Sequence, residues 1–182
     1  TTGVRSILED SKGNIWFGSY NEGVCLLHND ELQYFTTGNG LSNNQVRSIY
    51  EDKKGGLWIA DLGKLFYLYE GKVTEYFEND RTFANVIGHS FWEEADGSVW
   101  FATGDFNRRG LGLVRFKGGN FSKFGAEYGL SNDRIFYRFR DREGTTWLAT
   151  DRGLNRLRQQ VVTPLSTKDG LIHNEVYPIL KT

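Results

Sequence analysis

The side chains in this sequence that could do chemistry fall into two sets. The first is a recurring acid. Asp10, Asp52, Glu94 and Asp141 each stand three residues before a glycine (Gly13, Gly55, Gly97, Gly144) and six before a tryptophan (Trp16, Trp58, Trp100, Trp147). Two chemistries use an acid and a glycine so placed. A carboxylate that accepts backbone N–H groups, beside a glycine free to take φ > 0, closes a tight turn. A carboxylate in an Asp-x-Asp-x-Asp-Gly loop ligates calcium instead, but calcium takes six to eight oxygens, and only one carboxylate recurs in each turn here. Turn chemistry is the expectation, and no metal site is called for.

The second set is mixed and scattered: Arg5, Arg47 and His89; Tyr20, Asn21 and Glu22; Asp61; Asp105, Arg108 and Arg109; Asp151 and Arg152. Acids, amides, arginines and aromatics of this kind hydrogen-bond sugar hydroxyls and grip acidic sugar groups. Catalytic spacing is another matter. The three histidines are His28, His89 and His173, and the sequence holds no Ser/His/Asp spacing, no His-x-x-x-His and no phosphate loop. The chain is therefore expected to be no enzyme and to need no cofactor. Net charge is −1, from 22 basic and 23 acidic side chains, so there is no electrostatic footprint of a nucleic-acid or membrane-surface binder. The single Cys25 forms no internal disulfide.

Local spacing does not gather the second set; a fold must. The tryptophans of the signature are 42, 42 and 47 residues apart, and each is followed two residues on by a small residue: Gly18, Ala60, Ala102, Ala149. The signature acid-x-x-Gly-x-x-Trp-apolar-small thus recurs four times in register. A second landmark, Gly40-Leu41, Gly129-Leu130 and Gly170-Leu171, opens a polar stretch before the next unit. The second unit departs from it (79–85), and the third carries an insertion around 105–110. Each unit reads as four short strands. The first strands are Val4–Glu9, Val46–Glu51, Gly88–Glu93 and Ile135–Arg140; the second hold the tryptophans. The third strands are Gly23–Leu27, Leu65–Leu68, Leu111–Phe116 and Leu154–Leu157; the fourth are Leu32–Phe35, Val73–Phe77, Phe121–Phe124 and Val161–Leu165. Turn signals separate them at Ser11–Asn14, Asn29-Asp30, Glu70-Gly71 and Gly118-Gly119. Four strands per unit of about 40–50 residues is the pattern of a β-propeller.

Within a strand, residues i and i+2 share a face, so Trp16 and Gly18 share one while Phe17 takes the other. Both faces are apolar, as stacked sheets require, and the small residue beside each tryptophan leaves room for the next blade. Pro164 falls in a fourth strand, the blade's outer edge, where a missing N–H is tolerated. The predicted blades span 4–45, 46–87, 88–134 and 135–175, with 176–182 opening a fifth. The chain begins Thr-Thr-Gly and stops within that strand, which reads as an excerpt of a longer protein. The expectation is an arc of a larger ring. A four-bladed ring closed on itself and a pairing of two chains into eight blades are the alternatives.

The run Val46-Arg47-Ser48-Ile49-Tyr50-Glu51-Asp52-Lys53-Lys54-Gly55-Gly56-Leu57-Trp58-Ile59-Ala60 resembles the two-component regulator propeller repeat. Val4–Gly18 and the linkers Gly40-Leu41-Ser42-x-Asn44 and Gly129-Leu130-Ser131-Asn132 resemble it too. The resemblance implies a seven-bladed ring and a bacterial periplasmic sensor that answers to oligosaccharides. It also implies a parent protein with a histidine kinase or diguanylate cyclase output, which homo-oligomerises through its signalling partner. The remaining blades of that parent would be further partners. A non-catalytic interaction scaffold is the rival reading, and a propeller lyase a more distant one.

In such a ring the connections between fourth and first strands, and between second and third, gather on one face around the central channel. That face would carry the scattered set above, joined by Lys64, Asn107, Asn43, Asn44, Asn132, Asp133, His173 and Asn174, with the third-unit insertion as its best single region. His28 would lie at the opposite end.

Overall fold

The computed structural model describes residues 3–61, 64–76, 87–104, 110–158, 161–165 and 167–171. Among them the strands form four four-stranded sheets. The first holds β1 (Val4–Glu9), β2 (Ile15–Ser19), β3 (Val24–His28) and β4 (Glu31–Phe35), and the second β5 (Ser48–Glu51), β6 (Leu57–Ala60), β7 (Leu65–Tyr69) and β8 (Lys72–Tyr76). The third holds β9 (Ile87–Glu93), β10 (Val99–Gly104), β11 (Leu113–Lys117) and β12 (Asn120–Phe124), and the fourth β13 (Ile135–Arg140), β14 (Thr146–Thr150), β15 (Gly153–Arg158) and β16 (Val161–Leu165). Every sheet keeps chain order, and sheets one, two and four are antiparallel meanders throughout. The expected fifth strand, 176–182, lies outside the described residues.

The turns are made by the residues the sequence marks. Asn29 (φ 50°) and Asp30 (φ 62°), then Glu70 (φ 49°) and Gly71 (φ 75°), both take positive φ, which gives two-residue hairpin loops the twist of their strands. In the first hairpin Asp10 Oδ1 accepts from the backbone N–H of Lys12 and Asn14, both at 2.9 Å, while Gly13 sits at φ 81°. The other carboxylate oxygen does something the spacing alone does not announce. Asp10 Oδ2 accepts from the indole Nε1 of Trp16 at 2.9 Å. Asp52 does the same for Trp58 (3.1 Å) and Asp141 for Trp147 (2.8 Å). The acid therefore closes the turn and anchors the ring. With N–H donors on both oxygens, these three carboxylates are committed to turn and indole rather than to a cation. In the third hairpin Glu94 accepts instead from Trp92 Nε1, at 2.8 Å. At Asp10 burial works to raise the carboxyl, but the bonds from Trp16, Asn14 and Lys12 outweigh it and hold it below its usual value. The Trp147 bond leads in lowering Asp141.

The chain divides into two compact units, Thr1–Val99 and Trp100–Thr182. In the first, sheet one lays Trp16, Val24 and Phe35 on Ile49, Leu57, Ile59, Phe66 and Leu68 of sheet two, with the linker residues Leu41 and Val46 in the same core. Phe17, one residue along, points to the opposite face. Trp16 is 8% exposed and Trp58 1%. Trp100 and Trp147 are half-buried, so the four indoles are not equally enclosed. Gly18 is the expected small residue: a Cβ there would meet Val46 Cγ1 at 2.6 Å. Gly18→Ala should therefore destabilise the chain by about 1–3 kcal/mol in urea unfolding, and Val46→Ala in the same chain should recover part of the loss.

The Gly-Leu landmark proves to be a one-turn cap. Thr37–Asn39 and Ala126–Tyr128 are 3-10 turns that end on Gly40 (φ 114°) and Gly129 (φ 95°), and Leu41 (3% exposed) and Leu130 (5%) then drop into the interior. In the second unit Asn155 on β15, fully buried, accepts from Ser131 N and donates to Ser131 Oγ, both at 2.8 Å, pinning the linker that follows. Pro164 lies on β16, the outermost strand of its sheet.

Candidate functional site

In the first unit the β2–β3 loop is suspended from the linker between sheets one and two. Gly23 N donates to Asn44 O (2.9 Å), Val46 N to Ser19 O (2.8 Å) and Tyr20 N to Gly3 O (3.0 Å). The pairing of β1 with β2 slips between Val4 and Ser6, leaving Arg5 as the extra residue of a bulge. A bulge re-aims a side chain, and here it turns Arg5 onto the loop. The Arg5 guanidinium carbon lies 4.6 Å from the centroid of the Tyr20 ring, and that of Arg47 lies 5.9 Å from the same centroid. Three of the predicted residues, from β1, the β2–β3 loop and the linker just ahead of β5, thus meet at one place. Tyr20 is 38% exposed, Arg5 is exposed and Arg47 half-buried, while Asn21 and Glu22 are exposed beside them. Two guanidiniums beside one tyrosine ring bring planar forks of N–H donors to one place, suited to a carboxylate, sulfate or phosphate.

Other predicted residues are placed differently. Asp61 is fully buried, so its loop position does not bring it to the exposed face. Its neighbour Lys64 pairs with Glu75 of β8. His89 is half-buried with Nδ1 3.1 Å from Ser90 Oγ, and Ser90 takes a φ of 52° within β9. Asn43 and Asn44 serve the linker itself: Asn43 Oδ1 accepts from Gln45 N (2.7 Å) and Asn44 Oδ1 from Thr37 N (2.8 Å). Asp105, Asn107, Arg108, Arg109, His173 and Asn174 lie outside the described residues. His28 stands away from this loop, at the end of β3, with Nδ1 2.5 Å from Asn14 Oδ1 of the first hairpin.

In the second unit Asp151 is held by Arg134, whose Nη1 is 3.2 Å from both carboxylate oxygens. The same guanidinium lies 4.6 Å from the centroid of Phe136, which is the bulged residue of β13 as Arg5 is of β1. Asn132 and Asp133 close the turn before it by accepting from Arg134 N (2.8 Å) and Ala126 N (2.5 Å). Arg152 is exposed. Arg134 is outside the predicted set, and the signal that would have found it is its place immediately before the bulged strand.

Repeated four-stranded meanders, each with a tryptophan on its second strand, and with Gly-Leu caps at Gly40-Leu41 and Gly129-Leu130, define the chain as an all-β array of propeller blades. Two stretches of the chain, residues 1–21 and 40–63, match the family model of the two component regulator propeller.

Among solved structures, the chain is similar to the extracellular domain of BT3049 from B. thetaiotaomicron, a protein assigned as a hybrid two component system. The TM-score is 0.76 and the identity 22%, over 96% of this chain and 24% of that one. It is also similar to the extracellular domain of BT4673 from the same organism, likewise assigned (TM-score 0.69, 24% identity, 92% of this chain and 25% of that one). The chain thus spans about a quarter of the length of these two structures. Virginiamycin B lyase from Staphylococcus aureus shares the fold with a TM-score of 0.52 and 14% identity, over 91% of this chain and 70% of the lyase. Identities this low carry the fold alone. No curated protein matches the sequence. Among the described residues no helix is long and apolar enough to cross a membrane.

Proposed function

We propose that this chain is part of the extracytoplasmic sensing propeller of a bacterial two-component signalling protein. In this reading it recognises a small solute or oligosaccharide bearing an acidic group and does no chemistry on it. The observation that carries the reading is the meeting of Arg5, Tyr20 and Arg47 on the loop face of the first unit. The regulator repeats and the likeness to the two extracellular domains support the cellular setting. Further blades of the parent protein and a kinase-type output belong to the same reading.

The test is thermal unfolding against a panel of acidic and neutral oligosaccharides. An acidic ligand at a hundredfold excess over its Kd should stabilise the chain by about 2.7 kcal/mol, a rise in Tm of roughly 5–10 °C. Arg5→Ala, an exposed change, should leave the unliganded Tm in place and remove most of the rise. Flat curves across the acidic panel would refute the reading.

A further inference from the structure

The seam between sheets one and two is crossed by hydrogen bonds at three levels. Val46 N donates to Ser19 O at 2.8 Å, Ile49 N to Ser6 Oγ at 3.1 Å, and Ser11 N to Glu51 Oε2 at 2.7 Å. Arg5 adjoins Ser6, and Arg47 lies between Val46 and Ile49. Both guanidiniums therefore spring from the stretches of backbone that hold the two sheets together.

Arg5, Arg47, His89 and Phe136 each stand five residues before the acid of their hairpin, at equivalent places in their sheets. Sheets one and two thus both present arginine there, whereas sheet three presents histidine. The guanidinium carbons of Arg5 and Arg47 lie 4.6 and 5.9 Å from the centroid of the Tyr20 ring. Two like charges meet across this seam and oppose its closure, and the tyrosine ring offsets only part of that. The second unit shows a guanidinium in the same region answered by an acid. Arg134, 4.6 Å from the Phe136 centroid, has Asp151 at 3.2 Å, an acid of its own sheet. An acid from solution that reached both Arg5 and Arg47 would act across a seam instead of within one loop.

We infer that the acidic group of the ligand tightens this seam. Its oxygens accept from Arg5 of sheet one and from Arg47 ahead of β5 together, turn their repulsion into shared attraction, and hold the two blades closed. The inference rests on the acidic-ligand reading of this site and adds to it what binding does to the protein. The two guanidiniums converge only while the seam is closed. An anion that needs both therefore binds the closed seam more tightly than the open one and shifts the balance toward it.

Amide hydrogen exchange of the 182-residue chain, followed by NMR in millimolar sodium sulfate and in sodium chloride of equal ionic strength, tests this. Sulfate should slow exchange at Ser11, Val46 and Ile49 by about two- to fivefold, the range that a charge pair across neighbouring strands is worth. Two amides serve as internal references and should not change: Lys53 N, bonded to Glu93 Oε2 at the next seam (2.7 Å), and Gly112 N, bonded to Asp133 O in the second unit (2.8 Å). Arg5→Ala removes one of the like charges, so it should slow the three seam amides in chloride alone, and sulfate should then add nothing. The seam opens locally, below global unfolding, so the unliganded Tm stays in place. Equal rates in sulfate and chloride for the natural chain, or a sulfate effect that Arg5→Ala leaves intact, would overturn the inference. The oligosaccharide panel decides the ligand reading separately: a Tm rise there, with seam amides indifferent to sulfate, sinks the inference and leaves that reading standing.

Discussion

Replacing Trp58 with alanine should lower the stability of the chain by about 3–5 kcal/mol, a fall in Tm of roughly 6–20 °C. Trp58 is only 1% exposed, lies 4.7 Å from the Tyr67 ring and 5.7 Å from that of Tyr76, and gives its indole N–H to Asp52. An alanine there leaves a cavity that close-packed sheets cannot fill without moving. The same replacement at Trp147, which is half-buried, should cost clearly less. Urea unfolding of the two variants side by side is the check. Equal losses would mean that enclosure between sheets does not set the worth of the indole.

The second large effect belongs to Asp52. Asp52→Ala removes the acceptor of four donors: the backbone N–H groups of Lys54 and Gly56 (both 3.0 Å), Trp58 Nε1 (3.1 Å) and the Tyr67 hydroxyl (3.0 Å). The indole N–H has no route to water, and an enclosed donor left without a partner costs about 1–3 kcal/mol, so the total should reach about 3–5 kcal/mol. Asp52→Asn keeps one acceptor oxygen and should recover part of it. Burial first, and the bond to Asp52 second, push the Tyr67 phenol well above its ordinary value. Because Asp52 and Trp58 share one bond, the double variant Asp52→Ala/Trp58→Ala should lose less than the sum of the single losses, measured by the same urea unfolding. Full additivity would sever the carboxylate from the indole energetically.

Much of the fold was legible because period and spacing are backbone properties. β1, β13 and β16 have the bounds their residues predict, and the doublets Asn29-Asp30 and Glu70-Gly71 make the turns they signal. Side-chain direction was not legible. Val46 reads as strand, yet its N–H goes to Ser19 O across the linker, and β5 starts at Ser48. The acid and the tryptophan six residues apart invite no contact until a hairpin folds one back on the other. Substitutions between repeats also hide a shared role. Asn14 Nδ2 donates to Asp10 Oδ2 at 2.8 Å, and in the second hairpin the Tyr67 hydroxyl does this for Asp52. Gly56 makes room for it, since a Cβ there would come within 2.0 Å of the Tyr67 oxygen.

The candidate site divides along the same line. Arg5, Tyr20 and Arg47 were reachable by reasoning from loop order, because a bulge and a short loop hold them at one rim. Asp61 stands in an equivalent loop and turns inward. Loop order tells which connection a residue belongs to, and only packing decides whether it faces solvent.

Ser11 gives its backbone N–H to Glu51 Oε2 of the next sheet and Lys53 its own to Glu93 Oε2, both at 2.7 Å, and the donor in each is a peptide N–H, a group that nineteen of the twenty amino acids supply alike. A joint made from that group places almost no demand on the identity of the residue that carries it. Successive blades are then free to drift apart in composition, or to be duplicated and reordered, while their seams keep the same geometry.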